Sequence, residues 1–157
     1  MSYQRIKTKQ IRIGSKLVGG GAPITVQTMT KTDTRDADAT ISQIKELESI
    51  GCEIVRLAVP DQVAAESLWE IKKNTSIPIV ADIHFDYRLA LTAIESGVDA
   101  LRINPGNIGE QKRVQTLVGA AAERDIPIRI GVNMGSLDSN IEDKYGRTAQ
   151  GLVESAL

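Results

Sequence analysis

Charged side chains interrupt stretches of this chain that otherwise have the composition of buried strands. Three arginines, one aspartate and one histidine stand among valine, isoleucine and leucine: Arg56, Arg102, Arg129, Asp82 and His84. A strand of a buried parallel sheet is normally an unbroken aliphatic run. Because side chains along a strand alternate between its two faces, the charges indicate that one face is polar. That face is the first candidate for a functional site.

Two asparagines follow the same alternation. In the segment 101–104, Leu101 and Ile103 share one face of the strand, and Arg102 and Asn104 share the other. In the segment 128–133, Arg129, Gly131 and Asn133 likewise oppose three branched residues. Four consecutive predicted strands therefore carry polar groups on the same face of the sheet. In a barrel that face lines the interior, and active sites lie at the C-terminal mouth of the barrel.

The polar face has an excess of positive charge. Its three arginines stand against one strand carboxylate, Asp82, because Glu53 and Asp99 lie at the N-terminal ends of their strands. Arginine forks match phosphate oxygens in bidentate geometry. An anionic, phosphorylated small molecule would therefore balance the charge. The alternative is that each arginine forms a structural ion pair.

Two further polar groups follow strands, and each has a structural alternative. His84 is the only histidine and lies beside Asp82 at the end of a strand, a position that favours a functional role. The alternative is a structural residue. Asn107 belongs to a Pro-Gly-Asn turn whose backbone N–H groups either cradle an anion or merely connect a strand to a helix.

Composition excludes several classes of partner. The 157 residues carry a net charge of −1 and contain 3% aromatic residues, so nothing predicts nucleic-acid binding. We find no apolar run of the roughly 20 residues that a membrane helix needs. Cys52 is the only cysteine, which excludes an internal disulfide and a cysteine-based metal site within this chain. A reducing, cytoplasmic location fits best.

Strand and helix patterns alternate along the chain. Residues 10–18 predict a β-hairpin around Gly14, and a glycine-rich linker follows, so residues 1–22 form one predicted region. Residues 23–157 form the second, a partial barrel. Its predicted strands are Ile24–Met29, Ile54–Val59, Ile79–Ile83, Ala100–Asn104 and Ile128–Val132, separated by helical patterns and followed by a long polar loop, Asn133–Arg147, and a last helix.

Two architectures fit this alternation of strands and helices. One is a flavodoxin-like sheet of five strands, but the loop after its first strand, residues 28–36, lacks the expected phosphate-binding glycine. The other is a TIM-type (β/α)₈ barrel, which typically needs about 250 residues. The prediction is therefore an α/β fold, an N-terminal fragment of a TIM barrel with about five βα units preceded by a hairpin.

Three long motifs resemble one enzyme family. The segments VADIHFDYRLAL (Val80–Leu91), LRINPGNIG (Leu101–Gly109) and PIRIGVNMGSL (Pro127–Leu137) are similar to 4-hydroxy-3-methylbut-2-enyl diphosphate synthases. The segments Gly19–Asp36 and Gly51–Asp61 resemble the same family, so the match covers nearly the whole chain in order. These enzymes serve isoprenoid biosynthesis through the methylerythritol phosphate pathway.

The resemblance implies a function and a division of roles. Members are iron-sulfur oxidoreductases acting on CH or CH2 groups, which reductively dehydrate 2-C-methyl-D-erythritol 2,4-cyclodiphosphate. They are homodimers, take electrons from flavodoxin or ferredoxin, and hold a [4Fe-4S] cluster through three cysteines and a glutamate in a C-terminal domain. If the family's residue roles are carried over to this sequence, the three arginines would bind the diphosphate. Asn104, Asn107 and Asn133 would position the rest of the substrate, and Asp82 or His84 would move a proton.

The cluster ligands of that family have no counterpart in this sequence, so we expect the chain alone to be inactive. Two rival functions remain open. The first is a pterin diphosphate-binding barrel of the dihydropteroate synthase type, which needs no iron. The second is a non-catalytic half-barrel that associates with another half-barrel chain.

Overall fold

The computed structural model describes residues 6–108 and 111–157, which form seven strands and seven α-helices. In chain order these are β1 (Ile11–Ile13), β2 (Lys16–Val18), β3 (Gln27–Met29), α1 (Ala37–Ser49), β4 (Ile54–Val59), α2 (Gln62–Lys73), β5 (Ile79–Ile83), α3 (Tyr87–Glu95), β6 (Ala100–Ile103), α4 (Pro105–Ile108), α5 (Gln111–Ala122), β7 (Ile128–Ile130), α6 (Ser139–Tyr145) and α7 (Ala149–Ala156). One 3₁₀ turn, Met134–Ser136, precedes α6.

Aspartates at the helix starts explain where the strand-to-helix loops end. The side chains of Asp36, Asp61 and Asp86 each accept a backbone N–H in the first turn of α1, α2 and α3. Such caps satisfy donors that have no partner inside the helix. Each of these helices therefore begins directly after a strand's C-terminal loop, as the sequence predicted.

The sheet order identifies the architecture. Strands β3 to β7 are all parallel and lie side by side in chain order. A flavodoxin-like sheet would place its second strand at the edge, in the order 2-1-3-4-5. Consecutive parallel strands with helices between them are instead the arrangement of a TIM barrel. The predicted partial barrel is confirmed.

The helix-side face of the sheet carries the main hydrophobic core. Aliphatic residues at alternate strand positions pack there against α1, α2, α3 and α5. The strand members are Val55, Leu57, Val59, Ile79, Ala81, Ile83, Leu101 and Ile103, all of them buried. The predicted phase of the strands is therefore correct, and the polar positions face the opposite way, toward the barrel interior.

The hairpin β1–β2 covers the lower end of that interior. Ile13 and Val18 pack against a small second cluster formed by Ile54, Val80 and Ala100 on the inner face. Lys16 of the hairpin forms an ion pair of 3.0 Å with Glu53 at the start of β4. The hairpin therefore contacts the end of the sheet opposite to the C-terminal mouth.

The turn of the hairpin needs its glycine. Gly14 has a φ of +53°, a conformation that costs most side chains energy. An added Cβ would also lie 2.7 Å from Oδ1 of Asp99 and 2.9 Å from Cγ of Pro78. The turn thus sits directly against the strand starts, in a space that only glycine fits.

Four predicted boundaries were wrong. The strands predicted at Ala100–Asn104 and Ile128–Val132 end earlier, at Ile103 and Ile130. The strand predicted at Ile24–Met29 begins only at Gln27, because the backbone N–H of Val26 donates to the Glu53 side chain instead of joining the strand ladder. The long loop predicted at Asn133–Arg147 contains the 3₁₀ turn and α6. Asp138 caps α6 by accepting the N–H of Asn140, and the buried residues that mark other helices are missing from it.

The two outer strands of the sheet are β3 and β7. Ile130 of β7 points to the helix side, yet 45% of it is exposed, whereas its neighbour Ile103 in β6 is buried.

None of the helices in the described part of the chain has the length and apolar character that a membrane span requires.

Candidate functional site

Asp82 is the centre of the polar face. It stands on β5, its side chain is only 4% exposed, and both carboxylate oxygens have cationic neighbours. Oδ1 accepts from Nη1 of Arg102 at 3.0 Å, and Oδ2 lies 3.4 Å from Nε of Arg56. Register explains this convergence, because Asp82 pairs with Arg102 on β6 and with Ala58 on β4, two positions beyond Arg56.

Arg56 has a second neighbour on its other side. Its Nε and Nη2 each lie 3.4 Å from the sulfur of Met29, a weak acceptor. Met29 pairs directly with Arg56 across the β3–β4 ladder. The guanidinium group is therefore held between a thioether and a carboxylate, with 27% of its side chain left exposed.

Arg102 is held more tightly. Besides the bond to Asp82, its Nη2 donates to the carbonyl of Gly131 at 3.2 Å. The side chain is only 16% exposed. A guanidinium group has five N–H donors, so these two bonds leave donors available for an anion.

His84 and Asn104 lie at the strand ends next to Asp82. Nε2 of His84 is 3.4 Å from Oδ1 of Asp82, and the His84 side chain is 46% exposed. Asn104 directly follows β6 and is 2% exposed. The histidine is therefore accessible from the mouth, whereas the asparagine is covered.

The remaining predicted residues lie around this group. Arg129 on β7 pairs in register with Arg102, and it lines a cavity of about 300 Å³ between the sheet and the hairpin. Within the described residues it forms no ion pair. Asn107 is half-buried in α4, and Asn133 caps the 3₁₀ turn through a 3.0 Å bond from the Gly135 N–H. Direct contacts thus join Asp82 to Arg56, Arg102 and His84, and Arg129 follows on the neighbouring strand, in register with Arg102.

Charge on the polar face is unbalanced in the described part of the chain. Asp82 contacts the arginines of β4 and β6, and the arginine of β7 lies next to them in register, so one carboxylate on this face stands against three positive charges. The carboxylates at the other end of the strands are already paired: Glu53 with Lys16 and Asp99 with Lys72, at 3.0 and 2.5 Å. The surplus at the mouth suits an anionic ligand.

Carboxylates also fix the loops that surround the mouth. The Arg88 side chain holds the pKa of Asp86 below its ordinary value by hydrogen bonding. The pKa of Asp61 is lowered first by the N–H of Ala64 and then by Arg35, which belongs to the loop after β3. Both carboxylates therefore stay ionised at neutral pH and hold loops at the C-terminal ends of the strands.

The described residues do not fit an iron-sulfur cluster or another metal. No group of three or more His, Cys, Asp and Glu side chains among them could hold a metal ion. Cys52 is buried before β4, at the end opposite to the mouth, and its thiol donates to the carbonyl of Ile54 at 3.1 Å. The sequence prediction that metal ligands are missing was made for this chain alone.

Two site residues were missed by sequence reasoning. Met29 follows the inward phase of β3 and could have been found from its register with Arg56. Gly131 stands in the inward phase of the segment after β7, where a glycine often marks the close approach of another group.

Comparison with known families agrees with the motifs. Residues 8–157 match the model of the GcpE TIM-barrel domain. This chain belongs to the GcpE family. The matched range spans the polar face and the hairpin.

Curated GcpE relatives are highly similar to this chain but much longer. It is 61% identical over 155 residues to the 4-hydroxy-3-methylbut-2-en-1-yl diphosphate synthase (flavodoxin) of Clostridium acetobutylicum, covering 98% of this chain and 44% of that protein. The protein of the same name from Geobacter sulfurreducens is 59% identical over 154 residues, with the same coverage of both. The chain thus spans less than half the length of these relatives.

Solved structures resemble this GcpE chain in fold alone. The dihydropteroate synthase of Xanthomonas albilineans in complex with 7,8-dihydropteroate superposes with a TM-score of 0.59 at 13% identity, covering 94% of this chain and 58% of that one. The Yersinia pestis dihydropteroate synthase gives a TM-score of 0.60 at 10% identity, covering 93% and 58%. These similarities support the barrel and carry no information on the ligand.

Proposed function

We propose that this chain is the substrate-binding barrel of a 4-hydroxy-3-methylbut-2-enyl diphosphate synthase and binds 2-C-methyl-D-erythritol 2,4-cyclodiphosphate. Family membership and the names of the relatives support this assignment. The observation that carries it is the buried Asp82 holding two guanidinium groups at the mouth, with positive charge in excess. A cyclic diphosphate supplies the anionic oxygens that this site requires.

Arg56 and Arg102 would bind the diphosphate, because each is oriented by Asp82 and retains unused donors. Orientation before binding matters, since a fixed guanidinium loses less entropy when the anion arrives. Arg129 would add charge from the neighbouring strand. Asn104, Asn107 and Asn133 would position the hydroxyl groups and the carbon skeleton.

His84 is the better placed of the two groups proposed to handle a proton. It is accessible from the mouth, whereas Asp82 is covered and surrounded by cations. Asp82 would hold the imidazole through its Nε2, leaving the ring beside the bound substrate. The hydroxyl that leaves as water needs a proton, and His84 would supply it as a general acid.

Electron transfer is assigned to groups outside the described residues. We propose that a [4Fe-4S] cluster supplies the electrons for the reductive dehydration and that flavodoxin, present in the relatives' names, or ferredoxin donates them. The residues of this chain do not fit such a cluster, so the proposed contribution of the chain is binding, orientation and proton supply. A homodimer, a cytoplasmic location and inactivity of the isolated chain stay predictions.

The test places this chain in the Clostridium acetobutylicum relative, replacing the matched segment. With a reductant, we expect the chimera to convert the cyclodiphosphate to 4-hydroxy-3-methylbut-2-enyl diphosphate. Arg102→Ala should lower kcat/KM about 100-fold, because charge-assisted hydrogen bonds contribute roughly 1.5–3 kcal/mol each. Binding of the cyclodiphosphate, measured by calorimetry, should weaken in parallel.

Arg12→Ala is the matched control, since Arg12 lies in the hairpin at the opposite end of the sheet. It should leave activity and affinity unchanged. Full activity of Arg102→Ala would contradict the proposal, as would a folded, cluster-loaded chimera that binds a pterin diphosphate in preference to the cyclodiphosphate. The latter result would support the rival assignment instead.

A further inference from the structure

Gly131 differs from the glycines that this backbone needs for its turns. In the described part of the chain, seven glycines have positive φ angles, and Gly131 is not among them. Its N–H donates to the carbonyl of Ile103 at 2.8 Å, which continues the pairing of β6 and β7 by one residue. The conformation there does not require glycine, so the reason for the missing side chain must lie in the surrounding space.

That space is occupied by the Arg102 side chain. A Cβ added to Gly131 would lie 2.7 Å from Nη2 and 2.8 Å from Cζ of Arg102, and closer still to Nε. Carbon and nitrogen atoms do not approach this closely without a bond, so alanine would force a movement. Arg102 cannot retreat freely, because it is bonded to Asp82 Oδ1 on one side and to the Gly131 carbonyl on the other.

We infer that Gly131 is a positioning residue for the diphosphate site, which fixes the orientation of Arg102 by having no side chain. This inference rests on the proposed function, because it adds one residue to the same site. The guanidinium occupies the space beside Gly131 that a side chain would fill, and from there it reaches both Asp82 and the Gly131 carbonyl. A methyl group would lift it away from Asp82 and change the geometry offered to the anion.

The experiment is a double-mutant cycle in the chimera, with cyclodiphosphate affinity measured by calorimetry. Gly131→Ala should weaken binding about tenfold or more when Arg102 is present. In the Arg102→Ala background, the same substitution should change affinity less than about twofold, because the group it displaces is gone. Gly119→Ala is the matched control, since a Cβ there would have no atom within 4 Å apart from its chain neighbours and the backbone of its own helix; it should leave affinity unchanged.

Melting temperature gives a second readout that needs no ligand. Gly131→Ala should lower it with Arg102 present, and should leave it unchanged or raise it slightly in the Arg102→Ala background, since alanine restricts the unfolded chain. An equal decrease in melting temperature in both backgrounds would overturn the inference, because it would show that the backbone needs glycine at position 131 whether or not Arg102 is present. If no form binds the cyclodiphosphate, the proposed function fails, and the melting-temperature cycle still decides the role of Gly131.

Discussion

At the scale of single residues, Asp82 determines how the site is built. Its two oxygens face three cationic or ionisable groups from three strands: Arg56, Arg102 and His84. Without this carboxylate, two guanidinium groups would repel each other in a poorly solvated interior. Burial makes such a network sensitive to the loss of any one charge.

Replacing Asp82 with asparagine should therefore destabilise the protein strongly. The amide keeps the volume but removes the charge, which leaves two partly buried arginines without a counterion. We expect the free energy of unfolding to fall by about 3 kcal/mol, the usual cost of breaking a buried pair from one side. Urea denaturation of the chain measures it.

Glu142→Gln is the control for the Asp82 substitution. It removes the same charge from the exposed pair with Arg147, whose side chain is 64% exposed. Exposed pairs contribute less than about 1 kcal/mol. Equal effects of the two substitutions would contradict the central role of Asp82.

Sequence alternation predicted which residues share the polar face, because strand side chains alternate strictly. It did not predict their contacts. The bonds of Arg56 to Met29 and of Arg102 to Gly131 depend on the register between strands and on side-chain reach, which periodicity does not contain. Gly131 was seen in the inward phase, but its close contact with Arg102 becomes visible only in three dimensions.

At the scale of elements, two carboxylates repeat one arrangement at the strand starts. Glu53 accepts the N–H of Val26 and pairs with Lys16, and Asp99 accepts the N–H of Ile79 and pairs with Lys72. The two acids occupy matching positions in two similar segments, Gly51-Cys52-Glu53 before β4 and Gly97-Val98-Asp99 before β6. Each carboxylate therefore joins the start of its own strand to a neighbouring segment of the chain, Glu53 to Val26 and Asp99 to Ile79.

The Glu53 contact should make stability depend on pH. The N–H of Val26, and then Lys16, hold the pKa of Glu53 below its ordinary value of 4.5. The ionised form is therefore favoured by folding, and its stabilisation is complete above pH 4.5 and disappears as the pH falls through the lowered folded-state pKa. Glu53→Gln should remove that contribution.

Urea midpoints between about pH 7 and about pH 3 test this dependence. The wild type should exceed Glu53→Gln at neutral pH, and the difference should shrink in acid. Glu46→Gln, on the exposed side of α1, should follow the wild type throughout. A difference that stays constant with pH would show that the Glu53 charge does not contribute.

Element boundaries were predictable where one hydrophobic pattern decides them. The strands β4 and β5 and the capped helices agree with the sequence prediction because aliphatic runs and aspartate caps point to the same limits. Residues 24–26 and α6 were mispredicted for different reasons. The N–H of Val26 donates to the Glu53 side chain, which an alternating pattern does not reveal. The helix α6 buries none of its residues, so it has no hydrophobic period to detect.

At the scale of the whole molecule, the parallel strands lie in chain order and turn one polar face toward the interior. The hairpin covers the lower end of that interior, so the excess positive charge is accessible from the mouth. This arrangement was predictable because strand alternation, helix spacing and family motifs all indicated a barrel. The packing of the hairpin was not, since nothing in its six paired residues identifies the surface it covers.

A crystal structure of the chimera with 2-C-methyl-D-erythritol 2,4-cyclodiphosphate tests directly whether the arginines held by Asp82 bind the diphosphate. We expect diphosphate oxygens about 3 Å from the guanidinium nitrogens of both Arg56 and Arg102, with the Asp82 bonds retained and His84 facing the carbon skeleton. A diphosphate bound away from both arginines would contradict this expectation.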